Sequence, residues 1–313
     1  MARANLILIH RGPDYRQDFL EIAQKIREID NDIQVLPIGN LVRAEIPEKF
    51  WQYPTLTVAL DNFVLPIKRG PVLMNRPIPK LVQQKVFVQN DIPTPPAKRF
   101  HFGINLDPAE FGEYVILKPL NLAQTSKGEG IKVMRRSRAE DLRPENAGQL
   151  EGIDLTNNPY IIQKLIYTGR VAYTHRVSTL LGEVLWSMRF ESSELSPGLG
   201  ISNEEIEAGD YTQKIHQRWK IESPEDVLAL AKRVAAAFPR IPLLGIDIIR
   251  EESSEKQYAL EINGGGNTWH FSSNMWAKLR QLHPELIPDL KRQFSSFDVA
   301  AEALVRWTRK HAR

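Results

Sequence analysis

Residues 243–269 constrain the fold more than any other stretch, because two runs rich in β-forming residues flank a polar turn at residues 251–256. This arrangement predicts a β-hairpin. Successive side chains of a strand point to opposite faces, so a turn centred on Ser254 gathers the apolar side chains of both strands on one face. That predicted apolar face comprises Leu244, Ile246, Ile248, Tyr258, Leu260 and Ile262. The hairpin is therefore expected to cover a hydrophobic core.

The other face of the predicted hairpin is polar. The same register places Asp247 opposite Glu261 and Gly245 opposite Asn263. Two carboxylates directly opposite each other on paired strands repel, and a hard cation such as Mg²⁺ removes that repulsion. Residues 264–266 are three glycines, which suit a close approach of the backbone to a ligand. A metal site is the sharper interpretation, and a solvated face with two incidental acids is the alternative.

Composition places the chain among ordinary globular proteins. It has 313 residues, of which 42% are hydrophobic and 25% are charged, enough for two or three compact units. The net charge of +3 is too small to indicate nucleic-acid binding. The sequence has no cysteine and no run of 18 apolar residues, so disulfides, thiolate chemistry and a membrane span are not expected. We expect a cytoplasmic protein without nucleic-acid or membrane partners.

The first 40 residues predict the start of an open α/β domain. Residues 5–10 form an apolar strand, a helix follows with apolar side chains at helical spacing, and residues 33–38 predict a second strand. Ligands of such domains bind beyond the strand ends. Arg11 follows the first strand and is a candidate for holding a substrate carboxylate through two parallel hydrogen bonds. A charged surface loop is the alternative interpretation of this arginine.

A proline-marked boundary separates this domain from the next segment. Prolines precede a helical stretch at residues 80–89 and follow it at residues 93–96. Residues 114–119 then predict a strand that carries Lys118, and an ammonium group on an apolar strand suits an anion such as phosphate. The glycine-containing loop 124–130 offers backbone N–H groups for phosphate, with an ordinary turn as the alternative.

A second predicted hairpin carries two arginines. Residues 170–181 and 183–190 flank a tight turn, and centring the hairpin on that turn places Arg176 opposite Arg189. Opposed like charges are destabilising. Two guanidinium groups aimed at one point suit a triphosphate or a developing acyl phosphate. The two arginines are therefore predicted to bind phosphate, as are Lys118 and the loop 124–130.

The remaining segments predict a long loop and several helices. Residues 191–220 are polar and indicate a long mobile loop. Ser223 is expected to cap a helix that runs to about residue 238, and residues 271–280 and 297–307 predict closing helices. His270 follows the glycine run, and we expect a packed or surface histidine there, with a base or substrate-donor role as the alternative.

The order of these motifs resembles the ATP-grasp ligases, a superfamily that includes the D-alanine–D-alanine ligases and the ribosomal-protein glutamate ligases. The resemblance spans about residues 75–269 and follows, in chain order, Lys80, Lys118 with its loop, Gln163 with Lys164, the two arginines, Asp247, and Glu261 with Asn263. It implies an α/β (α+β) ATP-grasp fold with an N-terminal open α/β domain and two α+β subdomains that clasp ATP. The implied boundaries are 1–75 for the N-terminal domain, 76–165 for the linker helix and ATP-lid subdomain, and 166–313 for the C-terminal subdomain with the metal site.

The resemblance also implies a role for each matched residue. The nucleotide-binding residues would be Lys80, Lys118, Gly128, Gly130, Gln163, Lys164 and Ile166. The ligands of Mg²⁺, with Mn²⁺ as an alternative, would be Asp247, Glu261 and Asn263. The catalytic phosphate residues would be Arg176 and Arg189. The substrate candidates are Arg11, Gly265, Gly266 and Asn267.

Three positions depart from the family pattern. Asp91 replaces a glycine in the turn after the entry helix, and Gly245 stands where D-alanine–D-alanine ligases have an arginine. The pair of Arg176 and Arg189 would supply that missing charge. Residues 264–266 replace the family's serine–proline–glycine loop at the acceptor. The acceptor therefore stays open among an amino acid, a peptide and a modified metabolite.

The resemblance implies an ATP-dependent carboxylate–amine ligase that forms an amide bond through an acyl phosphate and releases ADP. One alternative is a small-molecule kinase on the same scaffold, and the other is a nucleotide-binding protein without catalysis. The metal residues argue against the second alternative, because a protein that only binds nucleotide has less need of them. Small-molecule or peptide carboxylates and amines are the expected partners, and a homodimer is left open.

Overall fold

The structure is a computed structural model that describes residues 3–40, 46–64, 66–120, 130–148, 150–211, 217–265, 268–273 and 276–313. In this described part the strands form three β-sheets, called here the first, second and third sheets in chain order. Helices between and after the strands cover these sheets. Among the same residues, no helix is both long enough and apolar enough to cross a membrane.

The first sheet is parallel and buried. Its segment contains β1 (Ala4–His10), a 3₁₀ turn (Pro13–Tyr15), α1 (Arg16–Ile29), β2 (Ile33–Gly39), a second 3₁₀ turn (Glu48–Gln52), β3 (Thr55–Ala59) and β4 (Val72–Met74). The strand order is β2-β1-β3-β4. All seven residues of β1 are buried, as expected for a central parallel strand, and α1 buries an apolar stripe of Phe19, Ile22, Ala23 and Ile26. The predicted strand–helix–strand start is confirmed.

The second sheet is antiparallel and follows helix α2 (Lys80–Gln89). Its segment contains β5 (Ala97–Arg99), α3 (Pro108–Phe111), β6 (Tyr114–Pro119), β7 (Lys132–Arg135), α4 (Arg136–Glu140), α5 (Pro144–Ala147) and β8 (Tyr160–Lys164), with the strand order β5-β8-β6-β7. One face covers a core that includes Val115, Leu117 and Ile162. Because side chains alternate along each strand, Lys118 and Gln163 lie on the other face.

The third sheet is antiparallel and has five strands. Its segment contains β9 (Val171–Leu180), β10 (Glu183–Leu195), α6 (Asn203–Ala208), β11 (Gln217–Ile221), α7 (Glu225–Ala237), β12 (Leu243–Arg250) and β13 (Gln257–Asn263). The strand order is β11-β10-β9-β12-β13. Helix α7 buries Val227, Leu230, Ala231 and Val234 in the core on one face of this sheet. Its N-cap is Pro224, so the predicted cap at Ser223 is wrong by one residue.

The C-terminal helices join the first and third sheets. They are α8 (Ala277–Leu282), α9 (Leu286–Gln293) and α10 (Ser296–His311). Helix α10 packs against both α1 and β10, so one hydrophobic core contains side chains from both sheets. The helix predicted at 271–280 begins only at Ala277, and α9 was not predicted.

The prediction that residues 191–220 form one long loop is wrong for the described part of this segment. Strand β10 continues to Leu195, helix α6 follows, and β11 pairs along β10. Ile206 of α6 is fully buried against the second sheet, beside Ile116 and Val133. Ile206 is the one large apolar residue of α6, and a single such residue gives too weak a periodic signal to predict a helix.

The hairpin of β12 and β13 has the predicted register at its polar positions. Asp247 pairs with Glu261, and Gly245 pairs with Asn263. A β-bulge beyond these pairs inserts Leu260 as an extra residue in β13. The first part of the predicted register is therefore confirmed, and the part beyond the bulge is wrong.

This bulge at Leu260 changes the predicted apolar face. The extra residue reverses the alternation of side chains, so Ala259 lies opposite Ile248 in the core. Tyr258 and Leu260 pack with Ile249 instead of joining that core. The core face of the hairpin consists of Leu244, Ile246, Ile248, Ala259 and Ile262.

The side chain of Gln83 fastens α2 to β13, an edge strand of the third sheet. Gln83 Oε1 accepts a hydrogen bond from Ile262 N–H at 2.8 Å, and Gln83 Nε2 donates to Ile262 O at 3.1 Å and to Ile78 O at 2.8 Å. These bonds satisfy buried backbone groups of the edge strand. They also fix Lys80, at the start of α2, relative to Glu261, the neighbour of Ile262.

Replacing Gln83 by leucine tests this connection. The Gln83→Leu substitution leaves the buried N–H and C=O groups of Ile262 without their partner, and each such group costs about 1–3 kcal/mol. We expect the free energy of unfolding in urea to fall by about that amount or more. The matched control is Gln89→Leu at the exposed end of the same helix, where a change within about 0.5 kcal/mol is expected. Equal stabilities of the two variants would contradict the assignment.

Candidate active site

Charged side chains from α2, the second sheet and the third sheet lie close together. Lys118 on β6 interacts electrostatically with Lys80, Glu261 and Asp247. Lys80 also donates to Pro119 O at 3.4 Å and interacts with Glu261. The polar faces of the second and third sheets therefore meet at one site. We call this site the charged cleft and define it by Lys80, Lys118, Gln163, Arg176, Asp247, Glu261 and Asn263.

Arg176 and Asp247 form a bidentate ion pair in the charged cleft. They are cross-strand neighbours on β9 and β12. Arg176 Nε–H donates to Asp247 Oδ1 and Nη2–H donates to Oδ2, each at 2.7 Å, and Asn263 Nδ2 donates to the same Oδ2 at 3.1 Å. Burial by itself lowers the pKa of Arg176, but Asp247 and Glu261 outweigh it and raise the pKa above its ordinary value. Asp247, which is 4% exposed, is therefore a buried carboxylate that accepts three hydrogen bonds.

The predicted opposition of Arg176 and Arg189 is wrong. A β-bulge at Leu185 shifts the register of β9 and β10, so Arg176 pairs with Met188 and Arg189 pairs with His175. Neighbouring residues of a strand face opposite sides, and the two guanidinium groups therefore lie on opposite faces of the third sheet. The prediction assumed a regular hairpin, and a one-residue bulge breaks that assumption.

Arg189 belongs to a separate charged group on the other face of the sheet. Its guanidinium carbon lies 3.9 Å from the centre of the Tyr173 ring, and its Nε lies 2.8 Å from Glu191 Oε1. Lys220 Nζ lies 3.2 Å from the same oxygen. Burial, followed by the charge of Arg189, lowers the pKa of His175 to about 4. Arg189 thus has partners outside the charged cleft.

Two lysines of the charged cleft are partly buried. Lys118 Nζ donates to Gln163 Oε1 at 2.8 Å, and Gln163 Nε2 donates to Pro95 O at 3.4 Å. Burial, together with the charge of Lys80, lowers the pKa of Lys118 to about 8, although the nearby carboxylates act in the opposite direction. Burial also lowers the pKa of Lys80, against the effect of Glu261. An anionic ligand would offset the desolvation of both lysines.

Lys164 and Ile166 lie where the chain passes from the second sheet to the third. Lys164 N–H donates to Pro96 O at 2.9 Å, and its Nζ lies 3.7 Å from Glu251 Oε1. As the neighbour of Gln163 on β8, Lys164 directs its side chain to the other face. Ile166 belongs to a group that we call the apolar patch, which consists of Ile166, Ile249, Tyr258 and Leu260.

Of the four residues of the apolar patch, only Ile166 was predicted as part of a site. The sequence pattern placed Leu260 in the core of the hairpin, and Ile249 was assigned no role. Ile249 lies two residues from Asp247 on β12 and so shares its face, while Leu260 directly precedes Glu261. The bulge at Leu260 brings these side chains together, and no residue type in β13 marks that bulge in advance.

Gly130 adopts a backbone conformation that favours glycine. Its φ is +70°, and a Cβ at this position would lie 3.1 Å from Pro119 Cγ and 3.2 Å from Tyr160 Oη. The backbone conformation and the close neighbours therefore explain why glycine occupies this end of the loop, while its predicted contact with nucleotide stays a prediction. Gly128, which was predicted in the same loop, lies outside the described residues.

Arg11 lies at the carboxyl end of β1, as predicted. Its side chain is 44% exposed, and its Nε lies 3.5 Å from Asp61 Oδ2. Asn40 Nδ2 donates to the same carboxylate oxygen at 3.4 Å, and Asn40 Oδ1 accepts from Gly12 N–H at 3.3 Å. Polar groups from three neighbouring strand ends are thus connected at this edge of the first sheet.

The glycine run after β13 makes close contacts. A Cβ on Gly264 would lie 2.7 Å from Arg76 O, so glycine is required there. Gly265 O accepts hydrogen bonds from Thr268 N–H at 3.1 Å and from Thr268 Oγ1 at 2.6 Å. The other two predicted substrate residues, which lie outside the described residues, are Gly266 and Asn267.

His270 is a packed histidine, as expected. Its ring lies 4.6 Å from the Trp276 ring and 5.2 Å from the Trp186 ring, measured between centroids. Burial, with a smaller effect of Arg176, lowers the pKa of His270 to about 3. The imidazole is therefore neutral and weakly basic, which argues against the alternative of a general base.

The donor set of the charged cleft fits Mg²⁺ that is bound together with phosphate. Among the residues that the structure describes, no three His, Cys, Asp or Glu side chains form a metal-binding group. Asp247 and Glu261 instead provide two carboxylates, and Asn263 adds an amide oxygen on the same face. Mg²⁺ commonly takes one or two carboxylates and completes its shell with phosphate oxygens and water.

Comparisons with known proteins identify the fold. No family model matches the chain, and no curated protein matches its sequence. The solved ATP-grasp ligase PsnB, in complex with a phosphomimetic variant of its minimal precursor, Mg and ADP, matches 98% of this chain and 100% of its own with a TM-score of 0.51 and 15% identity. The macrocyclase MdnC from Microcystis aeruginosa MRC, bound with precursor peptide MdnA, matches 96% and 99% with a TM-score of 0.50 and 14% identity.

A D-alanine–D-alanine ligase from Bacillus anthracis, complexed with ATP, covers 99% of both chains with a TM-score of 0.44 and 13% identity. At such identities the matches to PsnB and MdnC establish the fold. The chain has the ATP-grasp fold that the order of its motifs implies.

Proposed function

We propose that this protein is an ATP-dependent ligase that joins a carboxylate to an amine and releases ADP and phosphate. The observation that carries the proposal is the charged cleft, in which partly buried lysines and Arg176 face two carboxylates across two sheets. This combination suits a nucleotide triphosphate, whose charge needs both protein cations and a metal ion. The coarser statement, that the fold is one used by ATP-dependent ligases, rests on the structural matches.

In this proposal the lysines bind the phosphates of the nucleotide, and the apolar patch binds its adenine ring. Lys80 and Lys118 bind phosphate oxygens, because both ammonium groups are desolvated and lack a full counter-charge. Gln163 holds Lys118 in position. The adenine ring lies against the apolar patch and near the backbone of Lys164 and Ile166, because apolar side chains beside the polar groups of a strand end suit a purine. Gly128 and Gly130 belong to the loop that covers the phosphates.

Asp247, Glu261 and Asn263 are the proposed ligands of Mg²⁺, for which Mn²⁺ can substitute. When bound, the metal ion neutralises phosphate charge and favours attack on the γ-phosphorus. Gly245 on β12 leaves the space beside these ligands open, because a Cβ there would fill it and lie 3.3 Å from Thr268 Cγ2. The chain's own contribution is to hold the three oxygen donors on one rigid hairpin.

The proposed reaction has two steps. An oxygen of the substrate carboxylate attacks the γ-phosphorus of ATP, the bond to the β,γ-bridging oxygen breaks, and ADP leaves. The amine then attacks the carbonyl carbon of the acyl phosphate, loses a proton and expels inorganic phosphate. Arg176 stabilises the charge on the transferring phosphoryl group. Such catalysis depends mainly on positioning and electrostatics, and it needs no nucleophilic side chain.

The substrate assignment is the least detailed part of the proposal. PsnB and MdnC are solved with precursor peptides, which supports a peptide as one substrate of this protein. Arg11 at the edge of the first sheet binds a substrate carboxylate, and the glycine run borders the acceptor through Gly265, Gly266 and Asn267. Residues without side chains at this run are compatible with an acceptor as large as a peptide.

We also propose that the three parts of the chain act as domains with boundaries at 1–75, 76–165 and 166–313. The first would contribute to substrate binding, the second would cover the nucleotide, and the third would hold the metal ion. A cytoplasmic location and a homodimer complete the proposal.

Measuring ADP release with pools of carboxylates and amines tests the function directly. We expect release only when Mg·ATP, a carboxylate and an amine are all present. The Glu261→Gln variant should lose at least about 100-fold in rate, because it removes a metal ligand at the reacting phosphate. Its melting temperature should stay close to that of the wild type, since the apolar face of the hairpin is unchanged. The control is Glu255→Gln in the exposed turn of the same hairpin.

A substrate carboxylate labelled with ¹⁸O separates the ligase from a kinase. A ligase transfers one ¹⁸O atom to inorganic phosphate when the amide forms. A stable phosphorylated product without phosphate release would identify a kinase. Full activity of Glu261→Gln would refute the metal assignment.

Lys118 should link nucleotide binding to proton uptake. Because its pKa is lowered to about 8, about half of the free protein carries a neutral Lys118 at pH 8. A bound phosphate favours the ammonium form, so ADP binding should take up roughly half a proton at about pH 8 and almost none near pH 6.5. ADP affinity should therefore fall as pH rises above about 8. Calorimetric titrations in buffers of different ionisation enthalpy measure this uptake.

Lys118→Met should abolish the linkage and weaken ADP binding. Lys80→Met is the control for the neighbouring lysine, whose pKa is also lowered, and it should raise the pKa of Lys118 by removing a like charge. The proton uptake at pH 8 should then decrease, because more Lys118 is already protonated. The same uptake in Lys118→Met and wild-type protein would assign the linkage to a different group.

A further inference from the structure

Arg176 occupies the carboxylate oxygens that the proposed metal site needs. Its guanidinium donates to both oxygens of Asp247 at 2.7 Å, and Asn263 donates to Oδ2 at 3.1 Å. Each carboxylate oxygen has about two lone-pair sites, so Oδ2 is already saturated and Oδ1 is half occupied. A magnesium ion binds oxygen at about 2.0–2.1 Å and repels a guanidinium at the same atoms. A metal ion on Asp247 therefore competes directly with the observed ion pair: Oδ2 has no free lone pair for it, and on Oδ1 it would lie beside the cationic guanidinium.

The surroundings make a displaced Arg176 costly. Lys80, Lys118 and Arg176 give three positive charges near the two carboxylates Asp247 and Glu261, an excess of one. A divalent cation alone raises that excess and leaves a partly buried guanidinium without its anion, which is strongly unfavourable. Arg176 also faces the Phe190 ring, 5.9 Å from the guanidinium carbon, and an aromatic ring replaces a carboxylate poorly.

A nucleotide changes this balance. Its phosphate oxygens are acceptors for a guanidinium, which binds phosphate through two parallel N–H groups as it binds a carboxylate. A metal–nucleotide complex also carries net negative charge, so its entry reduces the positive excess that the metal ion alone would increase. Arg176 can then exchange one anion for another.

We propose that Arg176 is a latch on Asp247, which is released only when nucleotide phosphates offer Arg176 another anion, so that the divalent metal ion binds with the nucleotide and not before it. This inference rests on the proposed function, since it concerns the same metal ligands. It adds a role to Arg176 in the free protein, beside its role toward the phosphoryl group. The latch prevents the carboxylates from capturing free divalent cations.

Binding of Mn²⁺ to the protein without nucleotide tests the latch, and electron paramagnetic resonance of free Mn²⁺ measures it. Arg176→Met keeps the length of the side chain and removes its charge. We expect this variant to bind Mn²⁺ at least about tenfold more tightly than the wild type when no nucleotide is added. The matched control is Arg189→Met on the adjacent strand, whose side chain lies on the opposite face and should leave Mn²⁺ affinity unchanged.

Titration with Mn²⁺ and ADP together measures the coupling between the two ligands. In the wild type ADP should raise Mn²⁺ affinity strongly, and by thermodynamic reciprocity Mn²⁺ should raise ADP affinity by the same factor. Arg176→Met should reduce that factor at least about tenfold. An unchanged factor together with unchanged Mn²⁺ affinity, in a folded variant, would overturn the proposal.

Arg176→Lys distinguishes the latch from a general effect of charge. Lysine keeps the positive charge but cannot donate two parallel hydrogen bonds to Asp247. The latch predicts tighter Mn²⁺ binding in Arg176→Lys as well, at a level between wild type and Arg176→Met. If Arg176→Lys binds Mn²⁺ like the wild type, long-range charge explains the effect and the latch is refuted.

Asp247→Asn separates failure of the latch from failure of the proposed function. This variant should lose Mn²⁺ binding with and without ADP, because a metal ligand is gone. If Asp247→Asn binds Mn²⁺ and ADP as the wild type does, the metal site itself is wrong. If Asp247→Asn loses the metal ion while Arg176→Met binds it no more tightly than wild type, only the latch is wrong.

Discussion

The ion pair of Arg176 and Asp247 is the interaction on which the charged cleft depends. It joins the two central strands of the third sheet on the face that meets the second sheet. Without Arg176, Asp247 would lose both of these hydrogen bonds and its direct counter-charge while it faces Glu261 across β12 and β13. The pair thus keeps an acidic hairpin compatible with a stable sheet, and it holds Asp247 where a metal ion can later use it.

The rest of the fold brings cations to this pair from a second direction. Helix α2 begins with Lys80 and is fixed to the acidic hairpin by the side chain of Gln83. The second sheet contributes Lys118, whose ammonium group is held by Gln163. Helix α6 lies in the chain between β10 and β11 of the third sheet. It buries Ile206 against the second sheet and so makes a further connection between the two sheets. A nucleotide bound between the second and third sheets would therefore contact strands that are held in place relative to each other.

The sequence predicted the acidic hairpin well, because alternation of polar and apolar residues and a short polar turn together determine a register. Asp247 opposite Glu261 is the direct result of that pattern. It could not predict the bulges at Leu185 and Leu260, since an extra residue in a strand depends on packing between strands and not on residue type. Each bulge reversed the face of the residues beyond it, and this is why Arg189 was placed in the wrong group.

Contacts between residues that are distant in the chain could also not be predicted from the sequence pattern. The pairing of Arg176 with Asp247 joins residues 71 positions apart, and the contact of Gln83 with Ile262 joins residues 179 positions apart. The order of motifs nevertheless identified the ATP-grasp fold, because it constrains which strands lie side by side even where local patterns are ambiguous. Residue types and their local pattern therefore indicated the candidate site residues, and the arrangement of the strands determines which of these residues are in contact.

A crystal structure with Mg²⁺ and a non-hydrolysable ATP analogue tests the account most directly. We predict phosphate oxygens within hydrogen-bond distance of Lys80, Lys118 and Arg176, the metal ion on Asp247 and Glu261, and the adenine ring against the apolar patch. Arg176 should have left at least one oxygen of Asp247. A nucleotide bound elsewhere, or a metal ion on Asp247 with both hydrogen bonds from Arg176 intact, would contradict the account.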